Sequence, residues 1–499
     1  MQQPYVLGID IGTGSTKGVA VTRSGMVLAT AQSYYNTLHT RPDFSEQDPE
    51  VIWQAFVKTI QRITQQLQQS PAAISLSSCM HSLILVDADG TPLTANLTWA
   101  DRRSAGIADA LRNTPEGETI YKATGTPLHA MSPLCKLRWF QQHAHEVFKK
   151  CAKAISIKEY IWYKVFGVYE IDHSIASATG LFDVQQLQWF QPALAFCGID
   201  KDQLSTPVST DFIRKGMTVS IAAQLDLPAK IPFCIGASDG CLANVGSDAL
   251  QPGTAAVTIG TSGAVRIATS DPVVVFPEMI FNYRLDSETF VCGGAVNNGG
   301  NVVQWLLHTF LKKASPAADD YATLFQQAAA APPASGGLLC LPYLAGERTP
   351  LWDEKACGAF VGIRAQHGVG HFIRAGLEGV CFALYGVLKK LEAASGHIHT
   401  LHVSGGLVHA PLWMQMLADV TGKTVCLLQT EDASAVGAAL LYFKTTEQLD
   451  TYPSTQKKFE KTLVPDEHNQ ALYSSCFPIF QGLYTALQSS MHQLHSLKV

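Results

Sequence analysis

The stretch that organises the chain lies near its middle and reads Ile235-Gly236-Ala237-Ser238-Asp239-Gly240. Apolar residues lead into it, and Asp239 is its only side chain that can accept a proton at neutral pH. We interpret this stretch as an acidic loop that carries the chemistry of the protein. The alternative is that Asp239 caps a helix, a common role of aspartate in Ser-Asp-Gly segments.

A glycine-rich loop lies on each side of this stretch along the chain. The two loops read Asp10-Ile11-Gly12-Thr13-Gly14-Ser15-Thr16-Lys17 and Thr258-Ile259-Gly260-Thr261-Ser262-Gly263-Ala264. They align without a gap, which predicts duplication of one hairpin whose backbone N–H groups and hydroxyls bind phosphate. Asp10 aligns with Thr258, so only the first loop is expected to hold a metal ion, Mg²⁺. The alternative for the first loop is a tight hairpin with a buried aspartate.

The first loop does not fit a dinucleotide-binding site. Its spacing Gly12-x-Gly14 begins like the dinucleotide fingerprint, but Lys17 stands where the third glycine belongs. That fingerprint also needs a helix directly after the loop, whereas residues 16–22 have the pattern of a strand. A phosphate-binding hairpin is therefore the better interpretation.

Length and composition indicate a globular protein with two domains. We expect domains at 1–245 and 246–499, because 499 residues are too many for one ordinary core. The net charge is −5, from 36 Lys and Arg against 41 Asp and Glu, which favours neither nucleic acid nor a membrane surface as partner. The 12 cysteines include no Cys-x-x-Cys pair, as is typical of a reducing cytoplasm. No uncharged apolar stretch approaches the ~18 residues that span a bilayer.

Other polar or small residues follow the predicted strands. His81 and Asp101 have positions that suit hydrogen bonds to sugar hydroxyls, although a packed histidine and a surface salt bridge are the alternatives. Gly405 and Gly406 precede a helix that opens at Pro411, and paired glycines would let a flat base approach the backbone.

Two small-residue segments receive structural interpretations. Residues 241–246 are interpreted as the hinge between the halves of the chain. Asp432 is expected to cap a helix of small residues that suits close packing beneath a ligand.

Taken together, these residues resemble the FGGY family of carbohydrate kinases, which are members of the actin-like ATPase superfamily. The first family signature matches Met131-x-Pro133-x-x-Lys136-Leu137-x-Trp139-Phe140. Both glycine-rich loops, the Gly-Ala-Ser-Asp-Gly segment and Ser404-Gly405-Gly406 fall in the family order. Within the family, the stretches Gly125-Thr126-Pro127-Leu128-His129 and Pro342-Tyr343-Leu344-Ala345-Gly346-Glu347-Arg348 are most similar to the gluconate kinases.

The resemblance implies an α/β fold with two actin-like, ribonuclease H-like domains. Each is expected to have a mixed five-stranded sheet flanked by helices, with the nucleotide in the cleft between them. The N-terminal domain would bind the sugar and carry the first phosphate loop and Asp239, which would deprotonate the acceptor hydroxyl. The C-terminal domain would carry the second phosphate loop and the adenosine site.

The resemblance also assigns residues to the ligands. The expected cofactors are ATP, bound by Thr13, Gly14, Ser15, Lys17, Gly260, Thr261, Gly300, Gln304, Gly405, Gly406 and Ala410, and Mg²⁺, bound by Asp10. The expected sugar wall consists of Met80, His81, Trp99, Asp101, Met131 and Gly240. Glycerol and xylulose kinases carry an amide at the position of Gly240, so this chain would lose one polyol contact there. Candidates for binding a substrate carboxylate are Lys158, Arg103 and Arg348.

These expectations lead to the hypothesis of a cytoplasmic ATP:gluconate 6-phosphotransferase. The nearest alternative is a kinase for xylulose or another ketose or polyol. An alternative of another class is a sugar sensor or an actin-like assembly protein that binds nucleotide without phosphorylating a sugar. The expected partners are a small sugar or sugar acid and ATP, with no nucleic acid and no membrane, and a homodimer is an open expectation.

Overall fold

A computed structural model describes residues 3–406, 410–428, 432–453 and 459–497 of the chain. It divides into two compact units, each assembled from separate segments. The first unit comprises Met1–Asp248, Ala268–Cys292 and Asp432–Gln456, and the second comprises Ala249–Ile267, Gly293–Glu431 and Lys457–Val499. Two later segments belong to the first unit, so the units are not contiguous halves of the chain. The expected domain bounds, 1–245 and 246–499, stay a prediction.

The described strands are β1 Tyr5–Ile11, β2 Ser15–Thr22, β3 Val27–Tyr34, β4 Glu46–Gln47, β5 Ala73–Ser78, β6 Ile84–Val86, β7 Asn96–Leu97, β8 Lys153–Ile155, β9 Glu170–Asp172, β10 Phe182–Asp183, β11 Gln188–Trp189, β12 Thr206–Val208, β13 Ile213–Arg214, β14 Phe233–Ser238, β15 Thr254–Ile259, β16 Gly263–Thr269, β17 Phe281–Arg284, β18 Phe290–Val296, β19 Leu339–Leu341, β20 Ala359–Val361, β21 Thr400–Ser404, β22 Thr424–Leu427 and β23 Lys461–Leu463.

The described helices are α1 Pro49–Leu67, α2 Ala105–Arg112, α3 Pro115–Thr124, α4 Pro133–His143, α5 His145–Lys150, α6 Ile157–Phe166, α7 His173–Ser177, α8 Gln191–Cys197, α9 Val219–Leu225, α10 Asp239–Gly246, α11 Gly300–Leu311, α12 Ala318–Ala330, α13 Val369–Ser395, α14 Pro411–Thr421, α15 Ala433–Thr446 and α16 Glu467–Ser496. Two short 3₁₀ turns lie at Lys201–Gln203 and Pro333–Gly337.

The large sheet of the first unit has the strand order β13-β14-β5-β1-β2-β3. β14, β5 and β1 are parallel, whereas β2 pairs antiparallel with β1, and β3 in turn pairs antiparallel with β2. The sheet is mixed, as expected, but the short edge strand β13 makes it six-stranded where five strands were expected. Because β1, β5 and β14 run in the same direction, their carboxyl ends meet at one edge of the sheet.

The core of the first unit lies between this sheet and α1. Asp48 caps α1 by accepting a hydrogen bond from the Glu50 backbone N–H at 2.8 Å, and Pro49 is its first residue, as the sequence predicts. The helix buries Phe56 and Ile60 in an apolar cluster that also contains side chains of β1, β5 and β14. This packing fixes the strands that form the edge.

The second large sheet has the strand order β17-β18-β16-β15-β21-β22-β23. β15, β21 and β22 are parallel, while β16 and β23 pair antiparallel with their neighbours. The sheet is again mixed, and it has seven strands where five were expected. The hairpin β15–β16 followed by the parallel strand β21 repeats the arrangement of β1, β2 and β5.

The stretch 235–240 is not a loop, which corrects the first expectation. It forms the end of β14 and passes directly into α10, whose first residue is Asp239. The strand contains a register shift between Cys234 and Ala237, where Gly236 has a φ of +69°. A Cβ on Gly236 would lie 1.7 Å from the backbone oxygen of Leu76 on β5, so only glycine permits this approach.

Residues 241–246, which were interpreted as the hinge between the halves, form most of α10 and lie within the first unit. Their small side chains allow α10 to pack closely on α15. A Cβ on Gly246 would lie 1.9 Å from the Ala433 backbone oxygen, and one on Gly437 would lie 2.0 Å from that of Leu242. The small residues therefore serve packing between two helices.

Among the described residues, α13 alone is long and apolar enough to cross a bilayer. However, 78% of its most apolar window is buried within the structure, as in the core helix of a globular protein.

The close approach at Gly236 generates a prediction about stability. Replacing Gly236 with Ala must separate β14 from β5, so we expect the free energy of unfolding to fall by more than ~3 kcal/mol. The matched control is Gly167→Ala, because Gly167 has nearly the same φ, +71°, but open space around it. The control should lose only about 1 kcal/mol in urea-induced unfolding. Equal losses in the two variants would show that backbone conformation, and not the strand contact, requires Gly236.

Candidate active site

The carboxyl ends of β1, β5 and β14 bring the acidic residues of the first unit to one edge. Asp10 pairs in register with Ser77, and Ser77 pairs with Ala237, two residues before Asp239. The Ser77 hydroxyl donates to Asp10 Oδ1 at 2.6 Å. The sheet thus places Asp10 and the strand end that precedes Asp239 on either side of Ser77.

Asp10 lies near two cations, Lys17 and Lys158, and near one further carboxylate, that of Asp432. Burial raises its pKa, and the charge of Asp432 raises it further, while the Ser77 hydrogen bond and the charge of Lys17 oppose the increase. Lys17 is its cross-strand partner in β2 and donates to Asp432 Oδ1 at 3.2 Å. Asp432 precedes α15 as expected, but its carboxylate does not cap the helix. It contributes charge to the first loop instead.

Asp239 is the first residue of α10, and Ser238 is the residue that caps this helix. The Ser238 hydroxyl accepts from the Cys241 N–H at 3.4 Å, whereas Asp239 Oδ1 accepts from the adjacent Gly240 N–H at 2.6 Å. The side chain of Asp239 is only half-buried. Burial raises the pKa of the Cys79 thiol, and the charges of Asp239 and then Asp10 raise it further, so both carboxylates lie near the same sulfur.

The first glycine-rich loop is a tight hairpin in which the hydroxyls of Thr13 and Ser15 already have protein partners. The Gly12 N–H donates to Ser15 O at 3.0 Å, which closes the turn. Trp99 Nε1 donates to the Thr13 hydroxyl at 3.1 Å, and Gln32 Nε2 donates to that of Ser15 at 2.7 Å. Gly14 is exposed at the tip. Trp99 therefore joins the expected sugar wall to the expected phosphate loop.

His81 is buried and held through both ring nitrogens. Nδ1 lies 2.8 Å from the backbone oxygen of Ala178, and Nε2 lies 3.1 Å from the hydroxyl of Tyr283. Because a carbonyl only accepts, Nδ1 carries a proton in this arrangement. His81 also has a φ of +66°, a strained conformation for a residue with a side chain. A sugar hydroxyl would bind its ring nitrogens only by replacing one of these partners.

Asp101 forms a buried salt bridge with Arg103. Arg103 Nε donates to Asp101 Oδ1 at 2.8 Å, and the Ser45 N–H donates to Oδ2 at 2.9 Å. The guanidinium also pairs with Glu46 at 2.5 Å and lies 3.7 Å from the centre of the Phe44 ring. Arg103 is thus already occupied, which leaves it poorly placed to bind a substrate carboxylate.

The remaining residues of the expected sugar wall occupy separate positions in the first unit. Met80 packs against a cluster that contains Ile175 and Phe182. Met131 is buried just before α4 and donates its N–H to His129 Nδ1 at 3.1 Å. Gly240 is buried in the first turn of α10.

Lys136 is a residue whose role the sequence did not reveal. It is fully buried on α4, and its Nζ donates to His81 O at 2.6 Å and to Thr98 O at 2.8 Å. It therefore ties together the two segments that carry His81 and Trp99. The signal was its place in the family signature, where Lys136 stands between the apolar residues Cys135 and Leu137.

In the second unit, the second loop packs against the start of α11. The Gly300 N–H donates to Gly260 O at 2.7 Å, and the Gly299 N–H donates to Thr261 O at 3.2 Å. Gly405 has a φ of +118°, and a Cβ there would lie 2.2 Å from Ile259 O, so it too borders this loop. The structure thereby brings Gly260, Thr261, Gly300 and Gly405 together.

The other expected nucleotide residues of the second unit lie on or beside its helices. Gln304 is one turn beyond Gly300 on α11 and donates to the hydroxyl of Tyr321. Gly406 is exposed, and Ala410 is the buried residue that immediately precedes α14.

The two duplicated hairpins differ in charge at equivalent positions. Thr258 pairs in register with Ser404, as Asp10 pairs with Ser77, and the two hydroxyls are 3.4 Å apart. Arg266 donates to the Thr258 hydroxyl at 3.1 Å. A cation and two hydroxyls thus stand where the first unit has a carboxylate. Sequence reasoning found the change at Thr258 but missed Arg266, which lies outside the loop motif.

The other candidates for binding a substrate carboxylate also have protein partners. Lys158 Nζ lies 2.7 Å from Asp172 Oδ2, and both side chains are almost completely buried. In the second unit, Arg348 is buried and donates to Val296 O at 3.2 Å.

The burial of Lys136 generates a prediction about pH. Burial lowers its pKa from the usual 10.5 to about 7. Between these values the unfolded chain holds a proton that the folded chain lacks, so raising the pH favours folding. The free energy of unfolding of the wild type, relative to Lys136→Met, should therefore rise by up to ~1.4 kcal/mol per pH unit above pH 7.

Urea-induced unfolding at pH 7 to 9.5 measures this difference, since contributions from other groups cancel between the two proteins. Lys122→Met, which removes an exposed lysine of α3, is the control and should show no such trend. A pH-independent difference for Lys136→Met would contradict the prediction.

The chain matches two family models that follow one another along its length. The N-terminal domain of the FGGY family of carbohydrate kinases matches residues 5–246, and the C-terminal domain of that family matches residues 255–445. A gluconokinase of Bacillus subtilis (strain 168) is 40% identical over 98% of this chain and 97% of its own length. A xylulose kinase of Staphylococcus epidermidis is 28% identical over 97% of each chain.

Solved structures agree with this relationship. A gluconate kinase from Lactobacillus acidophilus has a TM-score of 0.93 and 31% identity, covering 99% of this chain and 100% of its own. A xylulose kinase from the same organism has the same TM-score and identity, covering 98% and 100%. With both family domains matched in order, the chain belongs to the FGGY family of carbohydrate kinases and is a phosphotransferase that uses an alcohol group as acceptor.

Proposed function

We propose that this protein is an ATP-dependent gluconate kinase, which transfers the γ-phosphoryl group of ATP to the 6-hydroxyl of D-gluconate. The observation that carries the choice of substrate is the 40% identity to a gluconokinase over nearly the whole chain, against 28% for the xylulose kinase. The buried glycine at position 240 supports it, because the wall next to Asp239 then lacks a side chain.

Asp239 is the general base of the proposed reaction. Phosphoryl transfer to an alcohol needs a carboxylate that takes the hydroxyl proton while the nucleophile is held in line with the leaving group. Asp239 is half-buried at the first position of α10, so its carboxylate is not sealed inside the unit. It is therefore ready to accept a proton from a hydroxyl brought within hydrogen-bonding distance.

Asp10 is the proposed anchor of Mg²⁺. The ion prefers oxygen ligands, and the carboxylate of Asp10 lies near that of Asp432, to which Lys17 donates a hydrogen bond. When bound, Mg²⁺ would neutralise charge on the phosphates of ATP. The Ser77 hydroxyl orients Asp10 for this role through its 2.6 Å hydrogen bond.

The remaining assignments divide between the two units. In the first unit, the phosphates of ATP would bind Thr13, Gly14, Ser15 and Lys17, and the sugar would bind Met80, His81, Trp99, Asp101 and Met131. In the second unit, Gly260, Thr261, Gly300 and Gln304 would bind phosphate and ribose, and Gly405, Gly406 and Ala410 would border adenine. The packing of the second loop against Gly300 and Gly405 supports this grouping.

A xylulose kinase is the second candidate function. The observation that favours it is the equal similarity, with a TM-score of 0.93 and 31% identity, to a xylulose kinase and a gluconate kinase from one organism. The shared machinery would serve either acceptor, so the two differ only in the sugar wall.

Substrate specificity tests the proposal. Formation of ADP by the purified protein should be measured with gluconate, xylulose, ribulose and glycerol. We expect kcat/KM for gluconate to exceed the others by at least ~10-fold, with phosphate on the 6-hydroxyl by NMR. Undetectable turnover of gluconate beside efficient turnover of xylulose would replace the proposal with the second candidate.

Replacing Asp239 with Asn tests the general base. The amide keeps the shape of the side chain but cannot take the proton, so we expect kcat to fall by at least ~10²-fold. The Kd values of ATP and gluconate, measured by calorimetry, should change by less than ~3-fold. Asp226→Asn, at the left-handed end of α9, is the control. Retention of wild-type kcat by Asp239→Asn would exclude Asp239 as the base.

A further inference from the structure

The strand end that precedes Asp239 is held by a buried lysine. Lys158 on α6 donates from Nζ to the backbone oxygen of Ala237 at 3.1 Å and to Asp172 Oδ2 at 2.7 Å. The side chains of Lys158 and Asp172 are only 2% and 1% exposed. The lysine therefore links a carboxylate directly to the backbone two residues before Asp239.

The next residue of the strand end is held by α7. The Ser238 N–H donates to the Ser174 hydroxyl at 3.1 Å, and that hydroxyl donates to Ser238 Oγ at 2.9 Å. Asp172 caps the same helix by accepting from the Ile175 N–H at 2.9 Å. Asp172 thus fixes both Lys158 and the start of the helix that carries Ser174.

Stability alone does not account for an ion pair in this position. Burying two charges removes both from water, and well-packed apolar residues of similar size are often as stable. Burial accordingly lowers the pKa of Lys158, while Asp172 opposes the decrease. The charged pair differs from an apolar pair because its hydrogen bonds are directional. Lys158 holds the backbone oxygen of Ala237 at a defined point, which an apolar side chain cannot do.

We propose that Lys158, Asp172 and Ser174 form a clamp that positions Asp239 for proton transfer. The clamp fixes the backbone at residues 237 and 238, and Gly236 allows the strand to turn just before them. Asp239 then enters α10 with its carboxylate in one orientation. The three residues are positioning residues, since none of them needs to touch the substrate. This proposal rests on the proposed role of Asp239 as the general base.

The orientation of a reacting group matters strongly for rate, because a displacement of about 1 Å can lower it by ~10²-fold. The clamp also explains why Lys158 is unavailable to a substrate carboxylate. Both of its hydrogen-bond acceptors belong to the protein and lie in its interior.

The test uses the double variant Lys158→Met with Asp172→Asn in the full chain. It removes both charges together, and the amide can still accept from the Ile175 N–H. Loss of the clamp should lower kcat by ~10- to 100-fold. The Kd values of ATP and of the acceptor that the wild type phosphorylates should stay within ~3-fold. Ser174→Ala is a milder change that tests the clamp even if the double variant does not fold. It should lower kcat by at least ~3-fold.

Lys164→Met is the matched control, because it removes a lysine of the same helix that pairs with Glu50 away from β14. Its kcat should equal that of the wild type. A second readout adds the two substitutions of the double variant to a protein that already carries Asp239→Asn. In that protein they should lower kcat by less than ~2-fold, because no base remains to be misplaced.

The outcomes separate the two proposals. If Asp239→Asn keeps wild-type kcat, the general base is wrong and the clamp is overturned with it. If Asp239→Asn loses activity but the double variant and Ser174→Ala keep wild-type kcat, only the clamp is overturned. An equal loss in both backgrounds would also overturn it, since the effect would then be independent of Asp239.

Discussion

The candidate site depends on one close backbone contact, between Gly236 on β14 and Leu76 on β5. The approach is possible because residue 236 has no side chain, and it lies at the register shift after which Ala237 pairs with Ser77. Asp10 pairs with the same Ser77 from β1, so Asp10 and the start of α10 meet at one edge of the sheet. In an open α/β sheet this edge is where ligands bind, because loops and helix ends diverge there.

The two glycine-rich hairpins have similar frameworks but carry different charges at equivalent positions. In the first unit, Asp10 stands beside Ser77, while in the second unit Thr258 stands beside Ser404 with Arg266 bonded to it. A carboxylate suits a cation, and an arginine with hydroxyls suits an anion directly. The two hairpins therefore differ in the charge of the ligand that each would favour, as the proposed assignment of Mg²⁺ and phosphate requires.

Local patterns in the sequence predicted the elements well. The cap at Asp48, the strands on both sides of each glycine-rich loop and the helix that opens at Pro411 follow from short-range rules, and the structure contains them. The motif residues also identified the family correctly.

Features that depend on distant contacts were not predictable in this way. The stretch around Asp239 read as a loop because its glycine and small residues usually mark turns, yet they serve the contacts with Leu76 and α15. The bonds from Lys136 to His81 and Thr98 join residues 55 and 38 positions apart, and those from Ser174 to Ser238 join residues 64 apart. Nothing in the local sequence distinguishes Ser174 from a serine on the surface, and Lys136 stood out only by its place in the family signature.

The central claim is that Asp239 takes the proton of the acceptor hydroxyl at this sheet edge. The most direct measurement is a crystal structure of the protein with gluconate, Mg²⁺ and a non-hydrolysable ATP analogue. We expect the 6-hydroxyl oxygen to lie within hydrogen-bonding distance, roughly 2.6–3.2 Å, of an Asp239 carboxylate oxygen. A bound acceptor whose hydroxyls all lie beyond the reach of Asp239, even through one water molecule, would contradict it.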